Sequence, residues 1–406
     1  MEWNEMERKF QDDNFWYFIS DDNHNVQTRI DVLFDFVTQC SIDDDTDYSY
    51  RQFQKLFDYC REKERGSIEK PFDAIWTKDI ETMEDAWRKV RKTFDRLVSW
   101  HEDNIYYHYV GFLIAVGYTP LEVYNSLENA KANSQSVIEG EESEVVSHEW
   151  TIDDTVHELY KMMMDKFKTG NTYLSKDDID DLEYSNSDLV FRLLLLFNIE
   201  SCKTSENVRF AFDKFKKEMW DIEHIDSQND ATIQEYEERL DWMKRVEFIL
   251  RMENTDSSTS LADLCASLQE KFRSNNQVTK KDYEDLYKRV TKHFSAEVGE
   301  DEEIVDLNQK KKDYISNLTL LDSKTNREYK DSPFSYKRYC IIKYDRTGKR
   351  FIPLCTRNLF LKYYTESDKE ASQLDVMRWS MADRACYMKA MHDVVDVIFD
   401  SVTEKK

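Results

Sequence analysis

Between residues 29 and 116 apolar side chains return every three or four positions, and that period limits what the chain can build. In RIDVLFDFVTQC (29–40) the residues Ile30, Leu33, Phe34 and Val37 stand at i, i+3, i+4 and i+7, the spacing of one helical face. The pattern continues over 86–100 and 106–116. Residues that stop helices are scarce, since the 406 positions hold only seven Gly and four Pro. A mainly α protein is therefore expected. The length exceeds one ordinary domain, which makes two the default. Breaks fall at SIDDDTD, REKERGS and GYTP and at the polar stretch 133–147.

The formal net charge of −25 argues against a protein that coats nucleic acid by electrostatics alone. The charge is uneven, however. Residues 305–362 hold fourteen Lys and Arg against six Asp and Glu, a surplus of eight positive charges. Nucleic acid, if bound, is expected there. Seven cysteines are scattered without a CxxC pair, which disfavours a disulfide framework and a zinc ribbon and suits a reducing cytoplasm. The opening MEWNEMERKFQDD carries no apolar core of a leader. The most apolar run, 189–197, contains Arg192 and is too short to span a bilayer, so no membrane role is expected.

Two aromatic stretches, FWYF (15–18) and HEDNIYYHYVGF (101–112), invite a pocket or a metal. His101 and His108, seven apart, share a helical face, but no acid or cysteine completes a ligand set. Core packing is the favoured reading.

Two distant segments carry the chemistry. In WDIEHIDSQ (220–228) the pattern turns strand-like and ends in an acid beside a histidine; in ISNLTLLDSKTNREYK (315–330) a short β-compatible run lies between Asn317 and Asn326. A strand ending in Glu-His, a second strand opened by Asn, and a helix start bearing Asn form the layout of a ββα-metal, or HNH, nuclease site. Phosphodiester hydrolysis needs an activated water and charge neutralisation on the departing oxygen. A neutral imidazole suits the first task, so His224 is the expected general base. A hard divalent cation, Mg²⁺ or Mn²⁺, suits the second, with Glu223 and Asn326 as its expected ligands. Asn317 is expected to clamp the loop behind the imidazole. Arg327, Lys330, Lys337 and Arg338 are the candidates for phosphate contact.

These residues resemble the HNH half of the GmrSD-type restriction endonucleases, whose pattern is roughly Glu/Asp-His-Ile-x-Pro-Gln, then Gly-Asn-Leu-x-Leu-Leu, then an Asn before a Lys-rich helix. The segments LLLLFNIE, FDKFKKEMWDIEHI and FIPLCTRNLFLKYY are similar to the same family, as are the N-terminal DNFWYFISDD and TRIDVLFDF. The chain lacks the Asp-Gly-Gln-Gln-Arg motif of the family's nucleotide-dependent domain, and Ser227 stands where Pro is usual. The resemblance implies a metal-dependent bacterial defence nuclease acting on foreign DNA, with nucleotide control in a further domain or partner subunit.

The expected architecture is thus a mainly α chain with a small α+β part: an all-α region over 1–205, then an HNH (ββα-metal) domain over 206–406 with a helical insert at about 230–312. The alternatives left open are a non-catalytic DNA-binding or protein-interaction module and the same hydrolysis on RNA.

Overall fold

The computed structural model describes residues 2–20, 28–38, 48–64, 82–136, 150–205, 208–226, 236–275, 278–295, 312–329, 332–365 and 375–403. The protein is mainly helical, with two small antiparallel sheets. Two compact units divide it. One comprises Met1–Lys168, Cys202–Lys217 and Ser401–Lys406, and the other Thr169–Ser201 and Glu218–Asp400. The second unit thus takes up residues 169–201, which periodicity alone groups with the preceding helices.

The first unit is built from α1 (Glu2–Gln11), α2 (Asp13–Ile19), α3 (Val32–Thr38), α4 (Tyr48–Glu64), α5 (Met83–Glu102), α6 (Asn104–Ala115), α7 (Pro120–Ser136) and α8 (Ile152–Asp165). Helix starts are set by side chains that satisfy the first orphan N–H groups. Thr82 accepts from the backbone of Asp85 while the Asp85 carboxylate accepts from that of Thr82, and Thr151 and Asp154 repeat the exchange. Aromatic rings fill the core. Phe18 stacks on Tyr107 at 5.1 Å, and Phe212, on the short α10 (Phe212–Phe215) that follows α9 (Ser187–Lys203), meets Tyr107 edge-on at 5.2 Å. His108 is fully buried, its Nδ1 2.7 Å from the carbonyl of Asn104 and its Nε2 accepting from the backbone N–H of Phe210. Both ring nitrogens are therefore committed to the backbone, and burial pushes the ring down to about 4. His101 lies among the rings of Phe15, Phe18 and Tyr107.

A two-strand ribbon of β1 (Lys168–Thr169) and β2 (Thr172–Tyr173) is joined through Gly170 at φ 62°. In the second unit β3 (Trp220–His224) pairs antiparallel with β4 (Leu318–Asp322), Trp220 facing Asp322 and His224 facing Leu318. Between these strands in sequence run α11 (Tyr236–Glu253), α12 (Asp256–Asn275) and α13 (Lys280–Ser295). These helices share their own core of Trp242, Val246, Leu250, Cys265, Phe272, Tyr283 and Tyr287. After β4 come α14 (Ser323–Tyr329), α15 (Phe334–Thr347), α16 (Leu354–Phe360) and α17 (Met381–Thr403).

A lone ribbon is marginal in water, and here helices cover it. Every residue of β4 is buried. The Tyr387 hydroxyl of α17 donates to the Leu318 carbonyl at 3.1 Å, and Thr356 of α16 donates to that of Leu320 at 2.6 Å. Trp379 stacks on Phe334 and donates to the Ser316 carbonyl, while Trp220 meets Phe351 edge-on. Both tryptophans are packing residues. Asp322 caps α14 by accepting from the backbone of Thr325 at 2.9 Å, so the helix bearing Asn326 starts directly where β4 stops. Among the described residues no helix is long and apolar enough to cross a membrane.

Candidate active site at the end of the strand ribbon

The ladder of β3 and β4 continues one step past the strands, where the N–H of Ile225 donates to the Asn317 carbonyl at 2.8 Å. Asn317 then turns its side chain onto the loop beyond His224. Its Oδ1 accepts from the N–H of Asp226 at 3.1 Å, and its Nδ2 donates to the carbonyls of Asp226 at 3.0 Å and Lys312 at 2.8 Å. The residue is fully buried, so its amide is shielded from competing water. The main chain on either side of the ribbon's end is tied by one side chain.

His224, the last residue of β3, keeps 21% of its side chain exposed. Its Nε2 lies 3.1 Å from Asp313 Oδ1, and its ring stacks on Tyr184 at 5.1 Å. These two partners arrive together because the segment around Leu182–Tyr184 runs beside Asp313–Ile315. The N–H of Tyr184 donates to the Asp313 carbonyl, and that of Ile315 to Leu182, each at 2.8 Å. With Nε2–H donating to the carboxylate, Nδ1 is left as the acceptor nitrogen. Desolvation holds the ring below its ordinary pKa, the Asp313 bond opposes this, and the charge on Lys337 adds to it. The lowered pKa favours the neutral imidazole, the form a general base requires.

The carboxylates fall differently from the expected pairing. Glu223 is buried and ion-paired with Lys337, whose ammonium also donates to the His224 carbonyl at 2.6 Å. Asn326 instead points its amide at Asp221, 3.4 Å from Oδ2. Alternation along β3 puts 221 and 223 on one face and 224 on the other, and of the two acids Asp221 lies nearer the Asp322 end of β4, where the helix bearing Asn326 starts. Asp221 is the acid beside Asn326, and Glu223 is a buried counter-ion. Exchanging the N and O of the Asn326 amide would present an oxygen to the same place. Asp221 and Asn326 then offer two oxygen donors of the kind a hard divalent cation takes, with water and phosphate completing its shell. Among the described residues no cluster of three or more His, Cys, Asp or Glu side chains is gathered as a metal site.

The four expected phosphate contacts fare differently. Lys337 is 1% exposed, which removes it from any phosphate-binding surface. Arg338 is half-buried, and desolvation lowers its pKa. Arg327 is exposed on α14, with Nε donating to the Ser323 carbonyl at 3.0 Å. Lys330 lies outside the described residues. Part of the basic island is engaged in ion pairs: Arg350 pairs with Glu328 and Lys362 with Asp383.

Sequence reasoning missed Asp221, Asp313 and Tyr184. For Asp221 the signal was present, since a residue two before Glu223 shares its face. Asp313 and Tyr184 reach His224 only through the fold, and no local spacing announces them. Comparison with models of known protein families, with curated proteins and with solved structures returns no match.

Proposed function

We propose that the second unit is a metal-dependent endonuclease of the ββα-metal (HNH) type, acting on DNA in defence against foreign genomes. One observation carries the reading: a partly exposed imidazole at a strand end, with one nitrogen held by Asp313 and the loop beyond it locked by Asn317. That arrangement suits a base that must meet a water and a phosphate from solvent. In the proposed reaction His224 Nδ1 takes a proton from water as the water oxygen bonds to phosphorus and the bridging P–O bond breaks. Asp313 keeps the ring oriented and favours the imidazolium that forms. The divalent ion the reaction calls for would supply charge neutralisation at the departing oxygen; Asp221 and Asn326 offer it oxygen donors, on the strand face opposite His224. Arg327, next to Asn326 on α14, is in sequence reach of a phosphate at that ion.

The test is supercoiled plasmid incubated with Mg²⁺ or Mn²⁺, with chelator and with structured RNA in parallel. Metal-dependent nicking that stops with chelator and in a folded His224→Ala variant supports the proposal. Cleavage confined to RNA changes the substrate while keeping the chemistry. Absence of cutting on either polymer overturns the proposal. A second reading, a nucleic-acid-binding module without catalysis, is favoured by two features. Glu223 is engaged by Lys337, and Asp221 leaves the strand on the face opposite His224.

A further inference from the structure

Outside the ribbon, α11, α14 and α15 enclose an open groove of about 550 Å³, within the range of small-ligand sites. Its wall is aromatic. Phe248 of α11 is 42% exposed and meets Tyr339 of α15 edge-on at 5.0 Å, with Tyr336 beyond it at 6.3 Å from Tyr339. Arg245 holds the groove together: its guanidinium lies 5.9 Å from the Tyr336 ring and donates to the Glu328 carbonyl on α14. Core packing does not account for an exposed phenylalanine beside two tyrosines in a concave wall.

The charges around these rings are matched selectively. Asp241 is paired with Lys244 at 2.8 Å, and Glu328 with Arg350. Arg327 and Lys343, both exposed and lining the groove, make no ion pair among the described residues. An aromatic wall recognises a planar ring, and unmatched cations beside it recognise an anion attached to that ring. A neutral sugar would leave the cations unused. Arg327 also follows Asn326 directly on α14, so the groove begins one residue from the candidate cation ligand.

We infer that the groove binds unpaired nucleotides of a nucleic acid strand, bases stacked on Phe248 and Tyr339 and phosphates against Arg327 and Lys343. The assignment to a strand that continues into the candidate active site rests on the nuclease reading above.

The test uses the full chain carrying His224→Ala and a fluorescein-labelled twelve-residue oligothymidylate, followed by fluorescence anisotropy at low salt. Phe248 and Lys343 are both exposed, so Phe248→Ala and Lys343→Glu leave the core untouched. Loss of one stacking contact is expected to weaken binding on the order of tenfold, and Lys343→Glu to weaken it and flatten its salt dependence. A twelve-base-pair duplex should bind more weakly than the single strand, and thymidine monophosphate should compete only at far higher concentration. Equal affinity in the His224→Ala chain and in both variants made on it overturns the inference. Equal competition by the free nucleotide replaces the strand with a mononucleotide ligand and overturns it in that form. Groove-dependent binding by a chain that never cuts sinks the nuclease reading and leaves the groove standing. Cutting that persists with groove-independent binding does the reverse.

Discussion

The ammonium of Lys337 lies 2.6 Å from the main-chain oxygen of His224 while pairing with the carboxylate of Glu223. One buried cation from α15 therefore holds two consecutive residues at the end of β3. Removing one partner of such a pair leaves an uncompensated buried charge, typically at a cost of about 3–5 kcal/mol. Lys337→Met should lose stability of this order in urea unfolding. Adding Glu223→Gln should recover part of it, because the orphaned charge disappears. A single variant as stable as wild-type would show that water or another group neutralises Glu223.

Asn317 forms three hydrogen bonds with backbone groups, each worth about 1 kcal/mol net. Asn317→Ala should cost roughly 2–4 kcal/mol, toward the upper end if the Asp226 and Lys312 backbone groups cannot find water. If the proposed function holds, cleavage should fall further than stability does, since the loop beyond His224 loses its tie. Parallel falls in folded fraction and in cutting would leave Asn317 a purely structural residue.

How far the sequence reached can be read at particular positions. The strand–strand–helix order was legible because Trp220–His224 and Leu318–Asp322 are short β-compatible runs in a helical chain and the Asn317 amide has a recognisable job. In the first unit α3, α5 and α6 were legible from period. What was not legible depends on partners far along the chain. Asp313 and Tyr184 meet at His224 through a bridge between Glu183 and Tyr314, and nothing near either residue signals it. Lys337 looked like a surface cation because a basic run is usually solvated. Only the fold places a buried carboxylate opposite it. The reciprocal caps at Thr82–Asp85, Thr151–Asp154 and Thr279–Asp282 are local and were open to reading, as was the shared face of Asp221 and Glu223.

In the first unit Gly111 of α6 sits under the Phe212 ring. A Cβ there would lie 2.2 Å from the ring edge, well inside contact distance, and the ring is itself fully buried. Gly to Ala normally favours a helix by about 1 kcal/mol, but overpacking of a filled core costs about 1–3 kcal/mol. Gly111→Ala should therefore destabilise, measured by thermal unfolding, and Phe212→Leu in the same chain should relieve it. A more stable Gly111→Ala protein would mean that α10 shifts away without cost.

Acid should unfold the first unit through its histidines. His101 and His108 are both held down to about 4 by burial, against about 6.5 in the unfolded chain. A depressed histidine pKa means that the unfolded state binds more protons below pH 6.5. The stabilising contribution is thus complete above pH 6.5 and is lost progressively as pH falls toward 4. His108→Gln, which keeps an amide for the Phe210 and Asn104 backbone groups, should flatten the stability profile between those limits. An unchanged slope would assign the acid lability to other groups.

The same sign applied to His224 gives a test of catalysis itself. Its pKa lies below the ordinary value, chiefly through desolvation, with Lys337 pushing the same way and Asp313 opposing. The base form therefore persists below pH 6.5, and the acid limb of plasmid cleavage should fall on that side. Asp313→Asn removes the group that raises the pKa and orients the ring, so the limb should move lower while the plateau rate drops. For a base held in place by a carboxylate, a drop of about 10²-fold or more fits the scale of general base catalysis. A purely structural Asp313 would lower the amount of folded enzyme and leave the position of the limb where it was, so the pH profile separates the two roles.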